Sequence, residues 1–276
     1  MIEDKFHDSI KIGNRFKFGQ NWSSFLKSFS EGRANEAKKS LKEMLSIKSL
    51  DQKSFLDMGC GSGLFSYAAH ALNAAKIHSV DFDPSSVKCA EYLRTLSKTN
   101  QNIWSTEEAS VLDKEYLEKL PKFDIVYSWG VLHHTGNMNL ALENIIIPVK
   151  EEGLLFIAIY NDEGIISKFW LVIKKIYNKT FLGKILVKLF FYSVYFFLQL
   201  FVDIIQFKNP ARRYSEFKKK RGMSMIHDWD DWLGGLPFEV ASPEKIVDFY
   251  ISKGFSLKKI RTTNRLGCNQ FVFQKG

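Results

Sequence analysis

Short apolar runs alternate with stretches of helical periodicity through the first half of the chain. The runs that predict β-strands are Ser54–Met58, Lys76–Val80, Phe123–Ser128 and Leu154–Tyr160, and the stretches that predict helices between them are 64–72, 85–96 and 140–149. Strands that are apolar on both faces and alternate with helices require a parallel sheet with helices packed on each side. The pattern therefore predicts an α/β fold built on a doubly wound sheet.

The two ends of the chain carry different patterns. Between residues 21 and 47, apolar side chains recur every three or four positions, which predicts an N-terminal helical layer. Near the other end, Ser242 is a typical helix cap and Gly254 a typical helix stop. Two strands follow, 255–260 and 270–274, with only a short turn between them. Such strands pair antiparallel, so we expect the sheet to end in a hairpin.

The stretch 165–220 is helical in pattern, rich in Phe, Tyr, Leu and Lys, and interrupted at Pro210. Within it, residues 185–207 carry only Lys188 and Asp203 as charges, and at ~1.5 Å per residue would extend about 34 Å, enough to cross a bilayer. A polar stripe nevertheless follows one helix face: Lys184, Lys188, Tyr192, Tyr195, Gln199, Asp203 and Gln206. Three interpretations follow, in order of preference: a cap over an active site, a contact between two copies in a homodimer, and a helix in peripheral contact with a membrane surface.

Composition and charge narrow the class of protein. The chain has 276 residues, 45% of them hydrophobic, and a net charge of +9 that comes mostly from dispersed lysines. Cys60, Cys89 and Cys268 lie far apart without metal-ligand spacing, which disfavours a disulfide framework or a structural zinc. The first residues lack the apolar run of a signal peptide. We therefore predict a cytoplasmic protein without a metal, and we disfavour a nucleic-acid partner because no RNA-binding or base-methylation motif is present.

A glycine turn carries the strongest chemical signal. Gly59, Gly61 and Gly63 link the first predicted strand to a helix, and Asp81 ends the second strand, where a carboxylate can accept both ribose hydroxyls of a nucleoside. A dinucleotide fingerprint would have its third glycine at the position of Leu64. The acid Asp57 opposes a diphosphate and suits a cationic ligand. The turn therefore favours S-adenosylmethionine, with an NAD-type oxidoreductase as the competing interpretation.

These residues resemble the class I S-adenosylmethionine-dependent methyltransferases. The resemblance covers 56–63, 80–84 and 123–126, and a bacterial branch of that family adds similar segments at 18–22, 127–136, 158–162, 222–223 and 227–229. It implies a Rossmann-like seven-stranded sheet of order 3-2-1-4-5-7-6 with strand 7 antiparallel and a helical cap insertion. By analogy the cofactor is S-adenosyl-L-methionine, the product is S-adenosyl-L-homocysteine, and the cofactor site consists of Asp57, Gly59, Cys60, Gly61, Gly63, Asp81, Phe82, Ser110, Val111, Trp129 and Trp22.

Candidate acceptor-side residues lie at the predicted carboxyl edge of the sheet. His133, His134 and His227 are candidates for a general base, and Tyr160, Asn161, Asp228 and Trp229 are candidates for substrate binding. Each has a structural alternative: a packed ring, a turn former or a loop anchor. A Phe-rich cap favours a small-molecule or lipid-like acceptor with apolar bulk.

The predicted organisation has four parts: an N-terminal helical segment (1–47), the cofactor-binding core (48–162), a helical cap (163–240), and a C-terminal helix and hairpin (241–276). The predicted activity is in-line transfer of a methyl group to the acceptor. A further alternative is a non-catalytic membrane-surface protein that retains the fold.

Overall fold

A seven-stranded sheet lies at the centre of the protein. The computed structural model describes residues 8, 10–13, 15–16, 18–19, 22, 29–206, 232–264 and 266–276. The strands are β1 (Ser54–Met58), β2 (Lys76–Asp81), β3 (Trp104–Glu108), β4 (Phe123–Trp129), β5 (Val149–Tyr160), β6 (Phe255–Arg261) and β7 (Cys268–Lys275). Their order is β3-β2-β1-β4-β5-β7-β6. β7 runs antiparallel to both of its neighbours and the remaining pairs are parallel. The predicted fold class, strand order and terminal hairpin are confirmed.

Helices connect the strands and cover the sheet. They are α1 (Glu31–Leu45), α2 (Leu64–His70), α3 (Pro84–Leu96), α4 (Lys114–Lys119), α5 (Met138–Asn144), α6 (Ile165–Lys179), α7 (Phe181–Ile205) and α8 (Pro243–Ser252), with a short 3₁₀ turn at Leu132–His134. The sequence signals for helix starts are confirmed at two of them. The side chain of Asp83 accepts from the Ser85 amide at α3, and Ser242 accepts from the Lys245 amide at α8.

The sheet has an apolar core on each face because successive side chains of a strand point to opposite sides. Leu56 and Met58 of β1 belong to one core, together with Tyr250 of α8. Phe55 belongs to the other core, together with Leu41 of α1. β1 is thus buried on both sides, and its carboxyl end reaches the glycine turn. The same edge receives the ends of β2, β4 and β5, which is where doubly wound sheets bind ligands.

Several predicted boundaries were wrong. The N-terminal helix α1 ends at Leu45, two residues before the predicted end at 47, and the predicted start at residue 21 lies outside the described residues. α5 ends at Asn144 because β5 already begins at Val149, five residues before the predicted strand start. The long stretch 165–220 divides at Thr180, whose backbone is extended and whose hydroxyl accepts from the Gly183 amide. Pro210, the predicted break, lies outside the described residues, and the four-part division of the chain stays a prediction.

The α6–α7 hairpin packs on the site edge of the sheet by one side only. Trp170 and Tyr177 of α6, and Val187 and Phe191 of α7, share a small core with residues 233–238. The remainder of α7 faces outward: only 11% of its most apolar 18-residue window is buried, and its length and composition alone would suit a membrane span. The preferred interpretation of α7 as a helix buried over an active site is therefore wrong, since its apolar bulk lies outside the core.

Candidate cofactor and acceptor site

The glycine turn after β1 has the backbone conformation that requires glycine. φ is +82° at Gly59, +52° at Gly61 and +77° at Gly63, a region that residues with a Cβ rarely adopt. The amides of Gly59 and Cys60 donate to the carbonyl of Val80 at 2.7 and 3.0 Å, which fastens the turn to the end of β2. The predicted positive-φ turn is confirmed.

The glycines also make room for other parts of the chain. A Cβ on Gly59 would lie 2.4 Å from the side chain of Val131, and a Cβ on Gly63 would lie 2.7 Å from the Cα of Ala90 in α3. A Cβ on Gly61 would lie 3.0 Å from the indole nitrogen of Trp22. Close packing within the protein thus adds a reason for glycine that the spacing alone did not indicate. It also places Trp22, a predicted cofactor residue, directly against the turn.

Asp81 ends β2 beside this turn. Its Oδ1 accepts from the Asp83 amide at 2.9 Å and its Oδ2 from the Gly61 amide at 2.8 Å. Each carboxylate oxygen can accept more than one hydrogen bond, so two acceptor positions remain for further donors. Burial raises the pKa of Asp81 to about 6, and the backbone hydrogen bonds oppose that rise. The turn and the acid thus form one hydrogen-bonded unit.

Asp57 lies on the other face of β1 from Leu56 and is buried. Its Oδ2 accepts from the Ser66 hydroxyl at 2.6 Å, and Ser66 lies 2.6 Å from the hydroxyl of Ser79, which accepts from the indole of Trp104. Burial and, to a smaller extent, the charge of Asp81 raise the pKa of Asp57 to about 7, against the opposing effect of the Ser66 hydrogen bond. Asp57 therefore anchors α2 through this network, and its predicted contact with a cofactor stays a prediction.

The N-terminal segment adds a residue that the sequence did not indicate. The guanidinium of Arg15 donates to the carbonyls of His134 and Thr135 at 3.3 and 3.4 Å and lies 5.0 Å from the ring of Phe82. Burial lowers the pKa of Arg15, and the charges of Asp81 and Asp83 partly offset this effect. The neighbouring Gly19 amide donates to Asp83 at 2.8 Å. The segment therefore lies across the site.

The loop after β3 carries Ser110 and Val111, two of the predicted cofactor residues. The Ala109 amide donates to the carbonyl of Asp81 at 3.0 Å, so the loop follows the edge of β2. Ser110 is half-buried and its hydroxyl accepts from the Leu112 amide at 3.1 Å, while Val111 is buried. The three predicted parts of the cofactor site, the turn, Asp81 and this loop, thus lie along one edge.

The two adjacent histidines are both buried and both neutral at pH 7. Burial lowers the pKa of His133 well below its usual value and that of His134 to about 3. Because a carbonyl can only accept, His134 Nδ1 donates to the Pro237 carbonyl at 2.5 Å, which leaves the lone pair on Nε2. Nε2 of His133 is buried and has no partner within the described residues. The pair therefore presents neutral rings to its surroundings.

The ring of Tyr160 contacts both histidines and Trp232. Its ring centroid lies 4.1 Å from that of His133, 5.3 Å from that of His134 and 5.7 Å from that of Trp232. The neighbouring Asn161 accepts from Asn269 at 2.8 Å and donates to Glu163, so its side chain stabilises the end of β5. Both residues show the structural features considered as alternatives, and their contact with an acceptor stays a prediction.

A buried lysine completes the acceptor side and was not found by sequence reasoning. Lys174 of α6 has no exposed surface, donates to the Trp232 carbonyl, and lies 4.7 and 4.9 Å from the rings of Trp232 and Phe238. Its charge contributes to the lowered pKa values of both histidines. A lysine inside a helical pattern carried no sequence signal that distinguished it from a surface lysine.

The other predicted site residues lie away from the histidines and Lys174, or outside the described residues. Trp129 ends β4 and is 41% exposed, while Cys60 is buried in the turn and burial raises the pKa of its thiol. His227, Asp228 and Trp229 lie outside the described residues. Among the described residues, no group of three or more His, Cys, Asp or Glu side chains could hold a metal ion.

Comparison with known proteins finds similarity in the centre of the chain. Residues 56–155 match the model of the methyltransferase domain family. The tRNA U34 carboxymethyltransferase of Ruthia magnifica subsp. Calyptogena magnifica is 34% identical over 40% of this chain and 34% of its own length. The ubiquinone biosynthesis O-methyltransferase of Bartonella tribocorum is 26% identical over 44% of this chain and 46% of its own. The chain thus spans less than half the length of these curated relatives.

A solved structure supports the same fold. The magnesium protoporphyrin IX methyltransferase of Synechocystis PCC 6803 with bound SAM matches with a TM-score of 0.51, over 91% of this chain and 84% of that one, at 12% identity or less. At such low identity the likeness shows the fold alone. The fold and the family match agree with the geometry of the glycine turn and Asp81.

Proposed function

Because residues 56–155 match the methyltransferase domain family, we propose that the protein is a class I S-adenosylmethionine-dependent methyltransferase that transfers a methyl group to a small-molecule or lipid-like acceptor. The main observation in support of this proposal is the environment of Asp81. The Asp81 carboxylate is held by the amides of Gly61 and Asp83 and retains acceptor capacity on both oxygens. A nucleoside ribose offers the two hydroxyls that such a carboxylate can bind.

The charges around the turn fit S-adenosylmethionine better than a dinucleotide. When bound, this cofactor supplies a methyl group on a positively charged sulfonium. Asp57 and Asp83 are buried and Asp81 is half-buried around the glycine turn, and the charge of Asp81 raises the pKa of Asp57. A diphosphate would add negative charge to this cluster, whereas a cation would relieve the repulsion. The acids therefore favour the methyl donor over NAD.

The chain itself contributes alignment and exclusion of water more than acid–base chemistry. Arg15 and Gly19 hold the N-terminal segment across the site edge. His134 carries its lone pair on Nε2 and can accept a hydrogen bond from an acceptor hydroxyl, but its pKa of about 3 makes it a weak base. We therefore assign His134 a positioning role toward the acceptor, and the buried His133 supports it. Methyl transfer by in-line displacement depends chiefly on such alignment.

Aromatic rings beside the histidines support an acceptor with apolar bulk. The ring of Tyr160 contacts those of Trp232 and Phe238, and Trp170 of α6 contacts Trp232. The alternative acceptor is RNA, because one relative is named for its action on tRNA and the chain is basic. The cytoplasmic location and the homodimer both stay predictions.

Calorimetry with two ligands tests the proposed cofactor. We expect S-adenosylhomocysteine to bind to the full-length protein and NAD to give no measurable heat. Incubation with S-adenosylmethionine carrying a radiolabelled methyl group, together with either a lipid extract or total RNA, then identifies the acceptor class. Tight NAD binding without S-adenosylhomocysteine binding would overturn the proposal, and label in RNA alone would replace the lipid-like acceptor.

Cofactor affinity should fall as the pH is lowered through about 6. Protonation of Asp81, whose pKa in the free protein is about 6, removes the charge that strengthens its hydrogen bonds to ribose hydroxyls. The affinity should therefore have its full value above this pKa and decrease below it, by about tenfold between pH 7 and pH 5. Titration of S-adenosylhomocysteine by calorimetry across this range measures the effect.

A variant distinguishes Asp81 from its neighbour in that pH profile. Asp83→Asn removes the negative charge that helps to raise the pKa of Asp81, so the fall in affinity should move to lower pH. A profile that is flat in the unaltered protein, or that becomes flat in Asp83→Asn, would contradict the assignment to Asp81.

A further inference from the structure

The exposed side of the α6–α7 hairpin is apolar along its whole length. On α7, Leu189, Phe190 and Phe197 are each more than 60% exposed, and they line a shallow groove along the helix. On α6, Phe169 and Val172 are more than half exposed. An apolar surface of this extent is unusual on a soluble monomer and marks a contact with a partner or a membrane.

Between Lys188 and Asp203, the polar stripe of α7 does not face solvent as it would on a soluble surface helix. Lys188, Tyr192, Tyr195 and Gln199 are half-buried, and Asp203 is buried. The large apolar side chains take the solvent-facing positions instead. The amphipathicity of α7 is thus reversed with respect to the protein body, which is expected for a helix whose outer face meets apolar material.

Both helices present their apolar sides in the same direction. The buried side chains of α6 and of α7 meet in one core with residues 233–238, so their opposite sides both point away from that core. A Cβ on Gly183 would lie 2.4 Å from the carbonyl oxygen of Ile176, which shows how closely the two helices cross. The hairpin therefore offers one broad surface and not two separate stripes.

Lysines surround this surface without accessible acids. Between residues 165 and 206 the charged side chains are six lysines and Asp203, and Asp203 is 2% exposed. Lys168, Lys175 and Lys179 follow the edge of the apolar stripe of α6 and are exposed. An apolar face bordered by lysines is complementary to a bilayer surface that carries anionic headgroups.

The same charges argue against a second copy of this chain as the partner. A two-fold contact through the hairpin would bring the lysines of one copy close to those of the other, because both copies use the same surface. Like charges placed together in an interface oppose association. An anionic membrane would attract these lysines, whereas a second copy of the chain would repel them. The observed charges therefore favour the membrane.

We propose that the outer face of the α6–α7 hairpin docks this protein on the surface of an anionic membrane, with the helices in the plane of the interface. The docked hairpin continues inward to the site: the ring of exposed Phe169 contacts Trp170, Trp170 contacts Trp232, and Trp232 contacts Tyr160 beside the histidines. An acceptor with an apolar chain would thus meet an aromatic route from the bilayer. Docking itself does not depend on the proposed methyl transfer.

Cosedimentation of the full-length protein with vesicles tests docking. We expect binding to an equimolar mixture of phosphatidylcholine and phosphatidylglycerol, weaker binding to phosphatidylcholine alone, and loss of the difference at high salt. Leu189→Gln with Phe197→Gln should weaken binding to both vesicles by about tenfold or more. Lys175→Glu with Lys179→Glu should weaken binding to the anionic vesicles alone, by about thirtyfold.

Matched variants away from the hairpin serve as controls. Tyr92→Gln with Leu96→Gln replaces exposed apolar residues of α3, and Lys39→Glu with Lys42→Glu replaces exposed lysines of α1; neither pair should change vesicle binding. Absence of binding to anionic vesicles by the unaltered protein would overturn the proposal. The proposal would also be overturned if the unaltered protein did not bind vesicles but formed a dimer, measured by sedimentation, that Leu189→Gln with Phe197→Gln dissociates. S-adenosylhomocysteine binding, measured in parallel, reports on the proposed function separately.

Discussion

Replacing Asp81 with alanine should weaken S-adenosylhomocysteine binding by about 1.5–3 kcal/mol, on the order of 10- to 150-fold in Kd. The substitution removes the carboxylate that is expected to accept the ribose hydroxyls. It also leaves the amides of Gly61 and Asp83 without their present acceptor, so the glycine turn loses one of its hydrogen bonds to the end of β2. Calorimetry at neutral pH measures the change in affinity.

Two further measurements separate loss of the ligand contact from loss of the fold. Asp248 is an exposed acid on α8, and Asp248→Ala should leave the affinity unchanged. Thermal unfolding of Asp81→Ala without ligand should show that the fold persists, because Asp81 lies at the end of a strand and outside both apolar cores. A folded Asp81→Ala protein with unaltered affinity would remove Asp81 from the site.

The sheet and the cofactor side were predictable because their signals are local. Strand β1, the turn and helix α2 occupy consecutive residues, and the positive φ of Gly59 follows from the glycine itself. The position of Asp81 beside the turn then follows from parallel pairing of β1 with β2. Sequence spacing and the handedness of the crossover were sufficient for this part.

The acceptor side was not predictable because long-range packing determines it. Arg15 reaches the carbonyl of His134 across 119 positions of sequence, and Lys174 meets Trp232 only after the hairpin folds back. Neither residue stands in a motif. The low pKa of His134 likewise follows from burial, which a pair of adjacent histidines in a sequence does not reveal.

The orientation of α7 in the α6–α7 hairpin could not be predicted from the sequence either. Periodicity identified the polar stripe of α7 correctly, but it could not tell which side of the helix meets the protein body. The structure turns Phe191 inward and Phe190 outward, a choice that depends on the crossing of α7 with α6 near Gly183. Hydrophobic pattern alone therefore favoured a buried cap where the chain presents an exposed surface.

Replacing Gly63 with alanine should destabilise the protein by about 2–5 kcal/mol. Gly63 has φ of +77°, where a residue with a Cβ is strained. In addition, the new methyl group would lie 2.7 Å from the Cα of Ala90, and a backbone atom inside helix α3 cannot move aside without shifting the helix. The urea midpoint of unfolding measures the loss.

Gly254→Ala is the matched control because it isolates strain from collision. Gly254 has φ of +84°, but no atom lies within 4 Å of the position where its Cβ would be. This variant should therefore lose only about 1–2 kcal/mol. The additional loss of stability in Gly63→Ala then measures how tightly the glycine turn packs on α3. S-adenosylhomocysteine should also bind more weakly to the fraction of Gly63→Ala that remains folded, because a shifted α3 moves Asp83 and with it one donor to Asp81. Equal losses in the two variants would mean that α3 yields freely, and that the turn is not held in the conformation described.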